Sequence, residues 1–316
     1  MAQPTSNDVH VDAILTNISV AYIQDQAAYI ASQVFPTIPV EKQSDKYFTY
    51  TKGDWFRDEA QLRAPATESA GSGYSLATSS YSTQVYAFHK DVDDQVRANA
   101  DTPLNPDRDA TTFVTQRMLM RQEIQWTTDF FASGIWATDT TPSNLWSDYT
   151  SSDPIGDVET GKASMLNSTG YLPNTLVLGY DVFRQLRHHP DIVDRVKYTS
   201  AENVTEDILA RFFGVDRILV ARAIKNTGLE GAANSFSNIA GKNAALYYVA
   251  PTPGLLTPSA GYTFAWRGVS DGMGANIGIT RFRMPELRAD RIEAQMAWDN
   301  KVIASDLGYF FASCVA

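Results

Sequence analysis

Thiol chemistry is almost missing from this chain. It has one cysteine, Cys314, and one thiol cannot close an internal disulfide, which excludes a small stapled scaffold. Cys314 lies in an apolar tail and reads as buried filler, not as a nucleophile. Histidine is also scarce: His10, His89, His188 and His189 are the full set. His188-His189 precedes Pro190 at a predicted helix end, where the dipole favours a cation. There is no His-x-x-x-His and no cysteine pair, so no zinc ligand set is predicted. The nucleotide signature Gly-x-x-x-x-Gly-Lys-Ser/Thr is missing, and Gly272-Met273-Gly274 lacks the third glycine of a dinucleotide fingerprint. No Gly-x-Ser-x-Gly elbow occurs. Catalytic residues, cofactor and metal are therefore all expected to be none.

No apolar run reaches the 18 residues that a membrane helix needs. The first ten residues lack the basic start and apolar core of a signal peptide. The triplets at Asn17, Asn167 and Asn203 are accordingly read as chance. Positive charge is in deficit, with 26 Lys and Arg against 36 Asp and Glu, a net charge of -10. That excludes a nucleic-acid surface driven by counterion release and suits a protein kept soluble at high concentration.

What the chain does have is length and aromatics. Its 316 residues are 44% hydrophobic and 20% charged, with 15 Tyr, 15 Phe and 6 Trp. That composition folds, and the length allows two domains. The organising stretch is 105–133. Asn105 is an N-cap type, Pro106 suits the first helical position, and Asp107 and Asp109 meet the positive end of the dipole. Ala110, Phe113, Met120, Ile124 and Phe131 recur at helical spacing, interrupted by Arg117 and Thr127, and Gly134 is a stop signal. A helix of that span is roughly 40 Å long.

Two kinds of segment precede it. Residues 1–45 form an arm, with a weak helical pattern over 11–34 (Ile14, Ile18, Tyr22, Tyr29, Ile30) broken by Pro36 and Pro39. Such an arm must lie on something else to be ordered. Residues 46–90 form a flap. Tyr47, Phe48 and Tyr50 begin a strand, Lys52-Gly53-Asp54 turns, a long polar loop follows, and a strand returns. In that strand Tyr81, Thr83, Val85, Ala87 and His89 share one face and Gln84, Tyr86, Phe88 and Lys90 the other. Aromatics on both faces point to packing on another subunit. The candidate contact residues are Tyr47, Tyr50, Trp55, Phe56, Arg57, Arg63, Tyr81, Tyr86 and Phe88. Asp91, Asp93 and Asp94 lack calcium-loop spacing and read as a solvated acidic turn.

Beyond the helix, Trp136, Trp146 and Tyr149 anchor a polar stretch and 155–166 is a short helix. Strands at 175–179, 217–223, 244–250 and 262–267 alternate with helices at 180–186 and 205–213. Thr205 caps the latter helix and Gly214 closes it. This predicts a compact α/β unit over 173–269, with a surface loop at 228–243. The tail alternates strictly over 290–298, turns at Asp299-Asn300 and returns over 301–304, with a last strand at 309–315. Its dry face needs the helix. Residues 91–172 and 270–316 would then be one discontinuous domain with the α/β unit inserted.

Arm, flap, long helix, inserted α/β unit and returning strands, in that order, resemble the major capsid proteins of tailed bacteriophages. Val34-Phe35-Pro36, Tyr47-Phe48-Thr49-Tyr50, residues 63–68, residues 181–186 and Met296-Ala297-Trp298 carry the likeness. The resemblance implies an α+β chain with the Hong Kong 97-type capsid fold: an N-terminal arm, an extended β-hairpin loop reaching over a neighbouring subunit, a spine helix with β-sheet as peripheral domain, and an inserted α/β axial domain. It implies hexamers and pentamers of an icosahedral shell that encloses double-stranded DNA without reading its sequence. It further implies a virion location after assembly in the host bacterial cytoplasm, a separate scaffolding protein, a portal, a possible decoration protein, and no membrane. An acidic lining would not trap the DNA. No pattern pairs Lys52 with an asparagine for a cross-link. Two rivals stand beside this reading: an encapsulin-type compartment holding a cargo enzyme, and a soluble α/β enzyme using carboxylates such as Asp181 and Asp191.

Overall fold

The computed structural model describes residues 23–100, 104–196, 204–254, 256–269 and 277–316. The pattern expected over 11–22, His10, the triplets at Asn17 and Asn203, and the glycines at 272 and 274 lie outside them. Within the described arm, only Ala31–Val34 is α-helical, after a 3-10 turn at Gln26–Ala28.

Two five-stranded sheets make the body. The first runs Thr37–Val40, Gly261–Trp266, Ala289–Val302, Gly278–Met284, with Gln84–Asp93 on the other side of the long strand Ala289–Val302. The second runs Thr138–Thr140, Gly308–Phe311, Ala244–Tyr247, Thr175–Gly179, Arg217–Ala221. Both faces of the second sheet are covered, which is why Thr175–Gly179 is buried throughout instead of alternating. Leu176, Leu178 and Leu246 face the helices Pro154–Thr169, Tyr180–His188 and Glu206–Phe213. Val177, Ala245, Tyr247 and Phe310 face the arm's Ile30, Val34 and Phe35 together with Trp126.

The spine helix is Pro106–Phe130. Asn105 caps it, its side chain accepting from the Arg108 N–H at 3.1 Å. Its buried face matches the expected stripe at Ala110 and Phe131 and departs from it between them. Ala110, Val114 and Met118 pack on Val92, Ile292, Ala294, Met296 and Trp298 of the first sheet. Further along, the buried residues are Gln122, Glu123, Trp126 and Thr127, and Trp126 belongs to the second core. The helix thus leaves one core and enters another, and its buried side rotates on the way. Phe113 and Arg117 are exposed, and Met120 and Ile124 are half-buried.

Glu123 shows what the rotation achieves. Its Oε2 accepts the backbone N–H groups of Ile30 and Ala31 at 3.0 and 2.9 Å, capping the arm's short helix from the side. Burial outweighs those two donors and pushes its carboxyl up to about 7. The arm therefore does lie on something else: Tyr29 donates to Gln116 at 3.1 Å, and the Gln116 amide donates to the Gln24 carbonyl at 3.0 Å.

Several expectations are corrected. The strand through 81–90 is two strands, Leu76–Ser82 and Gln84–Asp93, broken at buried Thr83, whose N–H and hydroxyl both donate to the Gln43 carbonyl. Only the first half belongs to the flap. Asp299-Asn300 does not turn. Asp299 accepts from the Ser82 N–H, Asn300 accepts from the Thr263 hydroxyl, and the strand runs on to Val302. Its hairpin partner lies upstream, Gly278–Met284. The strand placed at 262–267 in the α/β unit belongs to the first sheet. The last strand, placed on the helix, belongs to the second. The loop at 228–243 contains a strand, Phe236–Asn238, paired with Ile224–Asn226.

The acidic turn is not simply solvated. Asp93 caps the short helix Asp94–Ala98. Asp91 receives a two-pronged bond from Arg291 at 2.7 and 2.9 Å. Asp94 pairs with Arg283, while Arg97 touches Asp94, Asp107 and Asp290. Arg281 also pairs with Asp107 and Asp290. Hydrogen bonds from Arg281 and Arg283 hold the Asp290 carboxyl down at about 2. Arg283 and Arg291 come from 189 and 200 positions away in sequence, so local reading saw only part of the network.

Candidate assembly surface

The flap is a two-stranded sheet, Ser44–Tyr50 antiparallel to Leu76–Ser82, carrying a long tip. Strand alternation gives it two faces. On one, Asp45 stands opposite Tyr81 and Tyr47 opposite Ser79. On the other, Lys46 opposes Ser80, Phe48 opposes Thr78 and Tyr50 opposes Leu76. The first face is tied to the chain's own body at its root. Tyr81 stacks on Phe264 with centroids 4.5 Å apart, and Tyr47 stacks on the same ring at 5.4 Å. The second face is open. Phe48 is 62% exposed, and Tyr50 and Leu76 are exposed beside it.

The tip extends this open face. The short helix Lys52–Trp55 puts Trp55 against Tyr50 at 6.0 Å and against Tyr74 at 5.7 Å, and Tyr50 and Tyr74 lie 5.9 Å apart. Asp54 accepts the Ser75 N–H at 2.8 Å, which closes the two arms of the tip over this aromatic triad. Trp55 and Phe56 remain 56% and 64% exposed. Arg57 pairs locally with Asp54 and Glu59, and the Arg63 side chain donates to the Thr67 carbonyl at 2.6 Å. Two light tethers reach the body: Lys52 pairs with Asp306, and the Phe56 ring lies beside Gly170, 3.7 Å from where a Cβ would sit. Neither covers the apolar face.

The nine candidate residues therefore divide. Tyr50, Trp55, Phe56, Arg57 and Arg63 are open to solvent. Tyr47 and Tyr81 are occupied by Phe264. Tyr86 stacks on Trp298 at 4.2 Å and Phe88 packs on Phe113 at 5.9 Å, so both serve the first sheet and spine helix instead of the flap. Phe48, Tyr74 and Leu76 belong with the open group and were not among the nine. The parity of the two strands was the available signal, since Lys46, Phe48 and Tyr50 share a face.

One cluster looks catalytic and is not built to be. His189 is buried, with Nε2 3.0 Å from the Ser152 hydroxyl and Nδ1 3.7 Å from Asp191 Oδ2. However, Nδ1 accepts the Asp191 backbone N–H at 3.3 Å, so the proton sits on Nε2 and is donated to Ser152. The Ser152 hydroxyl in turn donates to the Asp148 carbonyl at 2.6 Å. No base faces the serine proton, which a Ser-His-Asp nucleophile requires. Among the described residues no group of three or more His, Cys, Asp or Glu is placed to hold a metal, and no helix is long and apolar enough to cross a membrane.

No known family profile matches the chain. The major capsid protein of Burkholderia phage BcepMu is 26% identical over 272 residues, covering 82% of this chain and 84% of that one. The major capsid protein of Pseudomonas phage JBD67 is 27% identical over 313 residues, covering 97% of each. Among solved structures, a phage-related protein from Bordetella bronchiseptica RB50 superposes with a TM-score of 0.69 at 22% identity, over 92% of this chain and 93% of that one. The capsid of Cyanophage P-SCSP1u gives 0.61 at 9% identity, over 96% and 93%. The holo-SrpI encapsulin complex of Synechococcus elongatus PCC 7942 gives 0.52 at 10% identity, over 95% and 91%.

Proposed function

We propose that this chain, a major capsid protein of the tailed-phage kind with the Hong Kong 97-type fold, builds its shell by laying the open face of the flap on a neighbouring copy. The observation that carries this is the side-to-side contrast of the flap. One face is satisfied by Phe264, while the other leaves Phe48, Tyr50, Trp55, Phe56, Tyr74 and Leu76 bare. An apolar surface of that continuity costs free energy in water until a partner covers it. Identical contacts repeated around closed rings let modest single interfaces hold a shell.

The flap at residues 44–82, a peripheral unit of spine helix and first sheet, and an axial unit of second sheet and helices are the parts this reading assigns. Hexamers and pentamers are its rings, double-stranded DNA its contents, and the virion its location after assembly in the bacterial cytoplasm. A scaffolding protein, a portal and a possible decoration protein are its further partners. The net charge of -10 supports a lining that encloses DNA without gripping it. The role is structural, and the hydrogen-bond directions around His189 leave no activated serine there to support an enzyme.

Electron microscopy of the purified protein tests this. Closed shells or five- and six-membered rings are expected. The double substitution Trp55→Ala with Phe56→Ala should leave folded, unassembled subunits with an unchanged far-ultraviolet spectrum. A strictly monomeric wild type, with its scaffold co-expressed, would overturn the proposal. The encapsulin likeness motivates a second reading, and shell contents separate the two: DNA for a phage head, an enzyme for a compartment.

A further inference from the structure

Of the apolar stripe that the sequence displays on the spine helix, the fold buries Ala110 and Phe131 but not the three residues between them. Phe113, Met120 and Ile124 sit at spacings of seven and four and stay exposed or half-buried. Arg117 and Arg121 are exposed among them. The Arg117 guanidinium lies 5.1 Å from the Phe113 ring centre, and Lys90 Nζ approaches the same ring at 5.4 Å. The Arg121 guanidinium lies 5.4 Å from the Tyr86 ring centre. Among the described residues, none of these three cations has a carboxylate within 4 Å, although the chain has ten more acidic than basic groups. Aromatic rings hold the cations in place, and among the described residues their donors meet no acceptor, which is a pre-organised arrangement for carboxylates or phosphates.

We propose that this stripe docks an acidic amphipathic helix carried by a second protein. Charge complementarity names the sign of the partner. The apolar spacing names its shape, because positions 113, 120 and 124 form a seam of the kind that another helix packs into. Arg117 and Arg121, one turn apart and about 6 Å along the axis, match carboxylates one turn apart on the partner. Duplex DNA would meet the cations but leave Phe113, Met120 and Ile124 wet, and a chain of net charge -10 repels it. A second copy has no such helix to spare among the described residues, since the helices Pro154–Thr169, Tyr180–His188 and Glu206–Phe213 bury their apolar sides in their own core.

The test uses the full-length, unassembled chain and a fluorescein-labelled peptide about three heptads long, with Leu at a and d and Glu at e and g. A matched peptide carries Lys in place of Glu. Anisotropy should show binding of the Glu peptide only. Arg117→Glu with Arg121→Glu should weaken it by about tenfold or more, and Phe113→Ala should weaken it several-fold. These side chains are exposed, and an unchanged melting temperature of each variant confirms that the fold is intact. Equal binding of both peptides, binding unaltered by the charge reversal, or tighter binding of a short DNA duplex at the same site would each overturn the proposal. The shell reading stands apart from this result: shells that form while the peptide fails to bind would sink the docking strip alone.

Discussion

Tyr81 lies within 10° of parallel to Phe264, and this stack is the seat of the flap. Phe264 belongs to a strand held between the arm strand Thr37–Val40 and the long strand Ala289–Val302, so the flap root is fixed to an interior strand of the first sheet. Phe264→Ala should cost about 3–4 kcal/mol, as buried aromatic truncations do. It should also free the flap. Trypsin cleavage after Arg57 or Arg63 is expected to accelerate well before the body unfolds, which limited proteolysis followed by mass spectrometry would reveal.

Glu123 predicts an unusual pH dependence. Its folded carboxyl is raised to about 7 by burial from an ordinary value of 4.5. The protonated form is therefore the one the fold favours. Its contribution to stability is fully present below about 4.5 and is lost as pH rises through about 7. Compared with Glu123→Gln, the wild type should lose on the order of 3 kcal/mol between those limits. Urea unfolding of both proteins from pH 4.5 to 8.5 measures it. Parallel curves would refute the assignment.

Gly308 opens the last strand with no room for a side chain. A Cβ there would lie 2.0 Å from the Trp136 ring, and that ring is anchored by its N–H donating to the Phe130 carbonyl at 2.8 Å. Gly308→Ala should destabilise by about 3 kcal/mol through overpacking, seen as a drop in melting temperature.

Arg97 is shared by Asp94, Asp107 and Asp290 at 3.4, 2.9 and 3.0 Å. It ties the start of the spine helix to the long strand. Arg97→Ala should cost about 1–2 kcal/mol, and a double-mutant cycle with Asp107→Ala should return a coupling above about 0.5 kcal/mol. Additivity of the two substitutions would show the network to be ornamental.

Local signals were legible. Asn105 and Pro106 mark the helix start, Gly214 takes a left-handed φ of 60° where the helix Glu206–Phe213 stops, and the apolar run Thr175–Gly179 is a fully buried strand. What depends on distant partners was not. Asp299-Asn300 has turn composition, yet Ser82 and Thr263 supply the bonds that keep it extended. Glu123 sits in a helix like any surface glutamate until Ile30 and Ala31, more than ninety positions earlier, deliver their N–H groups. The exposed aromatics at Tyr50, Trp55 and Phe56 could be named from sequence because no local pattern buries them. Tyr81 could not be set aside, because its partner Phe264 lies far along the chain.

The interleaving of the two sheets bears on synthesis. The strand Gly308–Phe311 fills the gap between Thr138–Thr140 and Ala244–Tyr247, and Ala289–Val302 is the hub of the other sheet. A ribosome that has made the flap, the spine helix and most of the inserted unit has therefore finished neither sheet. Long-range pairing of this sort folds late and as a whole. A chain with both sheets complete is one whose translation has passed residue 308, so a subunit with a finished body is an almost finished chain.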